Sequence, residues 1–183
     1  MKKLISVAFL FLLWSNPAYS DEKIINSLKE GGKLIFVRHA IAPGNGDPTD
    51  FKIDDCSTQR NLNKSGTNQS KIIGLFFKKN NIKIDRVLSS EWCRCKDTAE
   101  LAFKNFKTFK PLNSFYDPRF AENEEKQIED LKNFIKEWDS IKNIVFVTHY
   151  VVILSILNKS VSSGEIIISD KNFNIIGSLG TNN

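Results

Sequence analysis

Residues 34–40 read Leu-Ile-Phe-Val-Arg-His-Ala, a continuous apolar run that ends in a cation and an imidazole. Branched and aromatic residues without polar alternation are typical of a parallel strand that is covered on both faces. Residues 144–149, Ile-Val-Phe-Val-Thr-His, have the same order. The sequence therefore predicts two central parallel strands, each of which ends at a histidine.

Outward from these two runs, apolar spacing alternates between strand and helix. Val87 and Leu88 indicate a shorter strand, and residues 166–168 with 173–176 indicate a terminal strand pair that turns near residue 171. Parallel strands need crossover connections, and those crossovers cover both faces of the sheet. We therefore predict an α/β fold, a three-layer sandwich with a mostly parallel central sheet. The helices are predicted around the apolar positions of residues 24–28, 72–77, 98–103, 128–138 and 151–157.

The N-terminal residues 1–20 have the order of a secretory signal peptide. Two lysines precede an apolar run from Leu4 to Trp14, and small residues follow as far as Ser20, after which we predict cleavage. The run is shorter than the roughly 20 apolar residues that a spanning helix needs. We therefore expect residues 21–183 to form a single periplasmic or secreted domain with no stable membrane span.

The net charge and the cysteine content argue against some classes of function. The net charge of +5 falls to +3 without the two leader lysines, and the remaining lysines are scattered, so nucleic-acid binding is not indicated. Cysteines at 56, 93 and 95 lie in the exported part, where disulfides form. Cys93 and Cys95 are too close to bridge each other comfortably, so we expect Cys56 to pair with either one. A second cysteine pair for a zinc site is lacking, and no metal or other cofactor is predicted.

Cationic and imidazole side chains follow three predicted strands. Arg38 and His39 come directly after the first central strand, His149 comes after the second, and Arg94 lies in the turn after the strand that ends near Leu88. In open α/β sheets, ligands bind at the carboxyl ends of the strands. We therefore predict that these two arginines and both histidines of the chain share one pocket.

Phosphoryl transfer is the chemistry that suits this set of side chains. The guanidinium groups of Arg38 and Arg94 can bind phosphate oxygens bidentately. A neutral His39 can attack phosphorus in line and form a phosphohistidine that water then hydrolyses. A protonated His149 can stabilise charge on the equatorial oxygens. The pattern thus indicates a phosphatase or a related transferase.

Four segments resemble those of the histidine phosphatase superfamily, which is phosphoglycerate mutase-like. Residues 34–40 are similar to its Arg-His-Gly signature, with Ala40 where that family usually has glycine. Residues 89–99 resemble its Ser-x-x-x-Arg-x-x-x-Thr-Ala block, and residues 147–149 resemble its second histidine block. Residues 59–66 are similar to the segment that opens its first long helix. The four segments occur in family order and cover most of the chain beyond the leader.

The resemblance implies a metal-independent histidine phosphatase that hydrolyses a phosphomonoester. By position, it implies His39 as the phosphorylated nucleophile, with Arg38, Arg94 and His149 as the phosphate pocket. We expect a monomer that acts on a phosphorylated small molecule or glycan without a cofactor. The sequence leaves the natural substrate open.

The proton donor to the leaving group is the open role. Family members with a donor usually keep a Glu or Asp beyond the second block, where this chain has residues 112–122. Asp117 is the first candidate and Glu122 the second, because a general acid must reach the leaving oxygen directly or through one water. The alternative for Asp117 is a turn residue before Pro118. Asn45, in the Gly/Pro-rich loop after the nucleophile, is a candidate substrate contact.

Two other functions fit the same pocket. A phosphomutase would use the same phosphohistidine, but it must protect that intermediate from water, and the compact chain has little room for covering insertions. A non-catalytic or weakly catalytic phosphate- or phosphoglycan-binding protein would keep the pocket without turnover. A serine nucleophile is not indicated, and Ser89 and Ser90 are expected to be turn or cap residues.

Overall fold

The computed structural model describes residues 17–181, so most of the predicted signal peptide lies outside the described residues. Short 3-10 helices occupy the connecting loops at Cys56–Thr58, Lys110–Leu112 and Pro118–Asn123. The longer elements, in chain order, are α1 (Pro17–Glu30), β1 (Leu34–Arg38), α2 (Lys64–Lys79), β2 (Ile84–Ser89), α3 (Cys93–Phe103), β3 (Lys107–Thr108), α4 (Glu124–Lys136), β4 (Asn143–Thr148), α5 (Tyr150–Leu157), β5 (Ile166–Ser169) and β6 (Ile175–Leu179).

The strands form one six-stranded sheet in the order β3-β2-β4-β1-β5-β6. β1 and β4 are parallel neighbours at its centre, and β2 and β3 continue the parallel half. β5 pairs antiparallel with β1, and β6 pairs antiparallel with β5. The predicted α/β architecture with a mostly parallel sheet is therefore confirmed, and the two histidine-bearing runs lie side by side.

The core is divided by the sheet into two apolar clusters. Leu34 and Phe36 of β1 pack on the side of α4 and α5, whereas Ile35 and Val37 pack on the side of α1, α2 and α3. All four side chains are fully buried. Because successive strand residues point to opposite faces, a strand covered on both faces needs an unbroken apolar run. This is the physical reason for the sequence that precedes the first histidine.

The terminal hairpin differs in detail from the prediction. The last strand begins at Ile175, two positions after the predicted start at Phe173. The carboxylate of Asp170 accepts hydrogen bonds from the backbone N–H groups of Asn172 and Asn174 and so extends the turn. Phe173 has a φ of 64° inside this turn, a conformation that a strand does not use.

The sequence also predicts that Ile72, Ile73, Phe76 and Phe77 form one apolar stripe, but in α2 they are not one buried face. Ile73 and Phe77 are buried against the sheet, but Ile72 is 40% exposed. Adjacent residues of a helix are about 100° apart, so four residues at these spacings cover more than the contact face. In the part of the chain that the structure describes, no helix is long and apolar enough to cross a membrane.

A glycine fixes the first turn of α2 against the loop that follows β1. A Cβ built on Gly66 would lie 2.1 Å from the carbonyl oxygen of Ile41. The backbone N–H of Asn63 donates to that same oxygen, and Asn63 also caps the helix by accepting from Gly66 N–H. The close approach therefore holds the segment after the first histidine in place.

We predict that Gly66→Ala destabilises the protein by about 1–3 kcal/mol, because the added methyl group forces a packed backbone to move. Thermal or urea unfolding of the purified variant measures the change. Gly180→Ala is the matched control, since a Cβ there meets no atom within 4 Å. Equal stability of the two variants would contradict this account of the α2 contact.

Candidate active site

His39 follows β1 directly and is held by contacts with β4, with α3 and with the adjacent residue Ala40. Its backbone N–H donates to the carbonyl of Thr148, and the next N–H, of Ala40, donates to Thr98 Oγ1 in α3. The ring Nδ1 lies 2.8 Å from the carbonyl oxygen of Ala40. A carbonyl can accept but not donate, so Nδ1 carries the proton and Nε2 keeps its lone pair. The imidazole is thus oriented with its nucleophilic nitrogen away from the backbone.

His149 follows β4 and lies beside His39, with ring centroids 5.4 Å apart. Its Nε2 is 2.9 Å from Ser90 Oγ and 3.4 Å from Cys95 Sγ. Ser90 was expected to be a turn or cap residue, and its Oγ does accept from the backbone N–H of Trp92 at 3.3 Å, but it also contacts the second histidine. Sequence spacing could not reveal this contact, because it joins the ends of β2 and β4 across the sheet.

Arg38 and Arg94 each present a free guanidinium edge. One terminal nitrogen of Arg38 donates to Val161 O at 2.8 Å, and both terminal nitrogens of Arg94 donate to the carboxylate of Asp47. Both Nε atoms are buried, yet neither has a hydrogen-bond partner among residues 17–181. Since Nε and one terminal nitrogen share an edge of the planar fork, each arginine keeps a bidentate donor pair for an anion.

Asp47 and Arg60 are site residues that the sequence reasoning did not assign. Asp47 accepts hydrogen bonds from the Arg94 fork at 2.7 and 3.1 Å, from Arg60 N–H at 3.0 Å and from Trp92 Nε1 at 3.0 Å. The Arg60 guanidinium donates to the carbonyls of Gly46 and Ala42. Burial raises the pKa of Asp47, but hydrogen bonds and charge from Arg94 outweigh it and lower that pKa. Asp47 is therefore a carboxylate that orients the arginine.

A disulfide joins the loop after the nucleophile to the start of α3. Of the two open pairings, the structure has Cys56 bonded to Cys93, with Cα atoms 5.7 Å apart. Gln59 Oε1 also accepts from the backbone N–H of Cys93. Because Cys93 immediately precedes Arg94, the bridge fixes that arginine relative to the loop that carries Asp47. Cys95 is a free buried thiol, and burial raises its pKa to about 12.

The four predicted pocket residues line one cavity of about 280 Å³. Asn45 lines it as well, whereas Glu122 is not among its lining residues. Four aromatic side chains are also part of the lining. The full lining is Arg38, His39, Asn45, Gly46, Asp47, Arg60, Trp92, Arg94, Ser114, Tyr116, Asp117, Phe120, His149, Tyr150 and Val151.

Asp117 lies at the cavity rim in an ion pair. Its carboxylate accepts from Nε and one terminal nitrogen of Arg119 at 3.0 and 2.8 Å, and from the Arg119 backbone N–H at 2.9 Å. The side-chain hydrogen bonds of Arg119 lower the pKa of Asp117 to about 2. A general acid must carry a proton, so this pairing opposes the predicted donor role and favours the alternative of a residue that shapes the turn at Pro118.

Their surroundings favour the neutral form of both imidazoles. Burial, followed by the positive charge of Arg94, holds the pKa values of His39 and His149 well below the ordinary range. For His39 this leaves the Nε2 lone pair available at neutral pH. For His149 it means that the protonated state expected from the sequence requires a nearby anion. No group of three or more His, Cys, Asp or Glu within residues 17–181 is placed to hold a metal ion.

Solved structures with this architecture include phosphatases and a mutase. A protein provisionally assigned as the phosphohistidine phosphatase SixA from Agrobacterium tumefaciens has a TM-score of 0.58 and 17% identity over 81% of this chain and 97% of its own. The protein histidine phosphatase SixA complexed with tungstate has a TM-score of 0.56 and 14% identity, over 81% and 97%. Phosphoglycerate mutase from Thermus thermophilus has a TM-score of 0.57 and 18% identity, over 81% and 98%.

The amino-acid sequence itself matches no family model and no curated protein. At these levels of identity, the structural similarity establishes the fold and leaves the roles of individual residues as predictions. The structural similarity covers about four-fifths of the chain. The chain therefore has the phosphoglycerate mutase-like fold that SixA and phosphoglycerate mutase share.

We predict that reduction of the Cys56–Cys93 bridge lowers the free energy of unfolding by about 2–4 kcal/mol, because the closed loop restricts the unfolded chain. Thermal unfolding with and without dithiothreitol measures the loss. The Cys56→Ser/Cys93→Ser double variant is the control and should not respond to the reductant. A wild-type protein that is equally stable in both conditions would contradict the prediction.

Proposed function

We propose that the protein is an exported phosphatase that hydrolyses a phosphomonoester through a phosphohistidine on His39. The observation that carries this proposal is the pair of buried, unpartnered Nε donors of Arg38 and Arg94 at a cavity that also contains two neutral imidazoles. Donor edges of this kind fit a tetrahedral oxyanion, and an uncharged imidazole fits a nucleophile. The fold, shared with SixA and phosphoglycerate mutase, supports the same chemistry.

In the first step, the Nε2 lone pair of His39 forms a bond to phosphorus while the bond from phosphorus to the leaving oxygen breaks. That oxygen departs with the electron pair and takes up a proton from solvent, because the Asp117 carboxylate has none to donate. The ring becomes cationic, and the hydrogen bond from its Nδ1–H to the Ala40 carbonyl favours this charge. Arg38 and Arg94 offset the charge on the equatorial oxygens as the transition state forms.

In the second step, a water oxygen attacks phosphorus and the bond between phosphorus and Nε2 breaks. His39 returns to its neutral state with the electron pair, and the proton lost by water leaves with the phosphate or with solvent. The same guanidinium edges hold the phosphoryl oxygens in both steps, so the pocket needs no rearrangement between them.

The organic part of the substrate would lie against an aromatic rim. Tyr116, Phe120 and Tyr150 line the cavity outside the histidines, together with Trp92. A cavity of about 280 Å³ holds a phosphoryl group with a small organic moiety. A phosphorylated small molecule or sugar fits this space.

Export is the second half of the proposal. The basic, apolar and small-residue order of residues 1–20 supports a cleaved leader. The Cys56–Cys93 bridge supports it independently, because disulfides persist in oxidising compartments such as the periplasm. We propose a periplasmic or secreted protein that acts as a monomer.

One further observation favours a substrate whose leaving group needs no proton when it departs. Asp117 is held as a carboxylate by Arg119, so the cavity rim lacks an obvious acid there. Phosphoramidates such as phosphohistidine and aryl phosphates place less demand on a general acid than alkyl phosphates do. The similarity to SixA, a protein histidine phosphatase, makes phosphohistidine peptides a natural second test substrate.

We expect His39→Asn to lower kcat/KM for an aryl phosphate by more than about 1000-fold, because the covalent route is lost. Released phosphate measures turnover, and acid-labile, base-stable labelling of the wild-type protein detects the phosphohistidine. Thermal unfolding of His39→Asn checks that the fold is intact. Undiminished turnover in a folded variant would overturn the mechanism. Phosphate binding without a phosphoenzyme would indicate the binding-protein alternative, and an isomeric phosphorylated product would indicate a mutase.

We expect Asp117→Asn to change kcat for an alkyl phosphate by less than about tenfold, since the paired carboxylate carries no proton to donate. Loss of a true general acid would cost about 100- to 10,000-fold. Steady-state assays with an alkyl and an aryl phosphate distinguish the two cases. A large loss confined to the alkyl substrate would assign the donor role to Asp117 after all.

A further inference from the structure

A chain of hydrogen bonds leads away from His149 toward the surface. His149 Nε2 is 2.9 Å from Ser90 Oγ, which is 3.1 Å from Asn113 Oδ1. Asn113 Nδ2 is 2.7 Å from Glu91 Oε2. Ser90 and Glu91 follow β2, and Asn113 follows the 3-10 helix Lys110–Leu112, so three connections meet behind the second histidine. Neither Glu91 nor Asn113 is used by the mechanism proposed above.

The groups at the outer end of this series of hydrogen bonds indicate which atom is the donor in each of them. The backbone N–H of Glu91 donates to Asn113 Oδ1 at 2.9 Å, and the Glu91 carboxylate can only accept, so the amide of Asn113 has a single consistent orientation. Its Oδ1 then accepts the hydroxyl proton of Ser90. The Ser90 oxygen, which also accepts from Trp92 N–H at 3.3 Å, is left to accept from His149 Nε2–H, and Cys95 Sγ lies 3.4 Å from the same nitrogen as a second acceptor. The opposite tautomer of His149 would take the Ser90 hydroxyl proton, which would leave Ser90 Oγ and Asn113 Oδ1 3.1 Å apart with no proton between them.

The directions of these hydrogen bonds determine which nitrogen of His149 keeps a lone pair for the cavity. With the proton on Nε2, a neutral ring has its lone pair on Nδ1, which forms no hydrogen bond with the described residues. The charged and titratable groups that act on the ring or contact it lie on several elements, and the Asp47 carboxylate among them is paired with Arg94. These groups are Arg38, His39, Asp47, Arg60, Arg94 and Cys95.

We propose that Glu91, Asn113 and Ser90 are positioning residues that hold His149 with its Nδ1 lone pair toward the cavity, so that a phosphate dianion binds together with one proton. The inference rests on the phosphate site of the proposed function. A lone pair repels a phosphate oxygen, whereas Nδ1–H donates to it, so the dianion and the proton stabilise each other at the site. Equivalently, the empty pocket accepts the monoanion, whose own proton bridges to Nδ1.

If His149 takes up a proton with the dianion, the affinity for phosphate must fall as the pH rises. Burial and Arg94 lower the pKa of His149 in the empty pocket, and a bound dianion raises it. Above the second pKa of phosphate, each proton must come from solvent, so affinity for phosphate falls by about tenfold per pH unit. The fall stops when the pH reaches the pKa of His149 in the complex. Without proton coupling, affinity would stay constant over that range.

Calorimetry with inorganic phosphate at pH 8, in two buffers of different ionisation enthalpy, measures the protons taken up. About one proton per bound phosphate is expected from the linkage. The uptake should persist in His39→Asn and be lost in His149→Asn, which identifies the ring that receives the proton. Phosphate that binds without proton uptake would overturn this inference alone. Phosphate that does not bind would overturn both the inference and the proposed function.

The tautomer is tested separately by ¹⁵N NMR of the imidazole rings in the intact free protein. We expect a protonated Nε2 and an unprotonated Nδ1 for His149, and a mixture of tautomers in Ser90→Ala and Asn113→Ala. These two variants should lose about 3- to 10-fold in kcat/KM, the effect of one hydrogen bond, together with part of the proton uptake. Asn133→Ala, exposed on α4, is the matched control. A proton on Nδ1 of His149 in the wild-type protein would refute the relay.

Discussion

Desolvation of two imidazoles beside fixed guanidinium groups is the constraint on which this site depends. His39 and His149 are 2% and 3% exposed, and Arg94, at 3%, is buried with them. Low solvent access and the like charge of the arginine disfavour the imidazolium form of both rings. A nucleophile needs that neutral state, and an anion would reverse it at the second ring. In the mechanism that we propose, the same burial prepares the pocket for attack and makes it responsive to phosphate.

A buried arginine is costly unless its charge is compensated, and Asp47 supplies that compensation. The carboxylate occupies the terminal nitrogens of Arg94 and leaves the Nε edge free. It also accepts from Trp92 and from the backbone of Arg60, so one side chain ties the loop, α3 and the start of the α2 connection together. The Cys56–Cys93 bridge reinforces the same junction covalently. Asp47 therefore compensates the charge of Arg94 and anchors the loop at the same time.

The sheet explains why residues far apart in the chain meet. β1, β2 and β4 are parallel, so their carboxyl ends lie at one edge and deliver Arg38, Ser90 and His149 to it. The antiparallel strand β5 begins at the same edge, so the connection from α5 to β5 also lies there, and its Val161 carbonyl accepts a hydrogen bond from Arg38. Solved structures with this fold include a phosphatase and a mutase, so the fold by itself does not decide the reaction.

The sequence by itself determined the two central strands and the histidines that follow them, because a strand buried on both faces must be continuously apolar and its end is marked by the first polar residues; the short edge strand β3, which has no apolar run, was not predicted. Residues 34–39 and 144–149 carry that signal locally. The tertiary structure alone decided the contacts that have no local signature. Among them are Asp47 on Arg94, the choice of Cys93 over Cys95, the pairing of Asp117 with Arg119, and Ser90 with Asn113 behind His149. Each of these depends on loop geometry and on which groups burial leaves without water, and neither can be read from residue spacing.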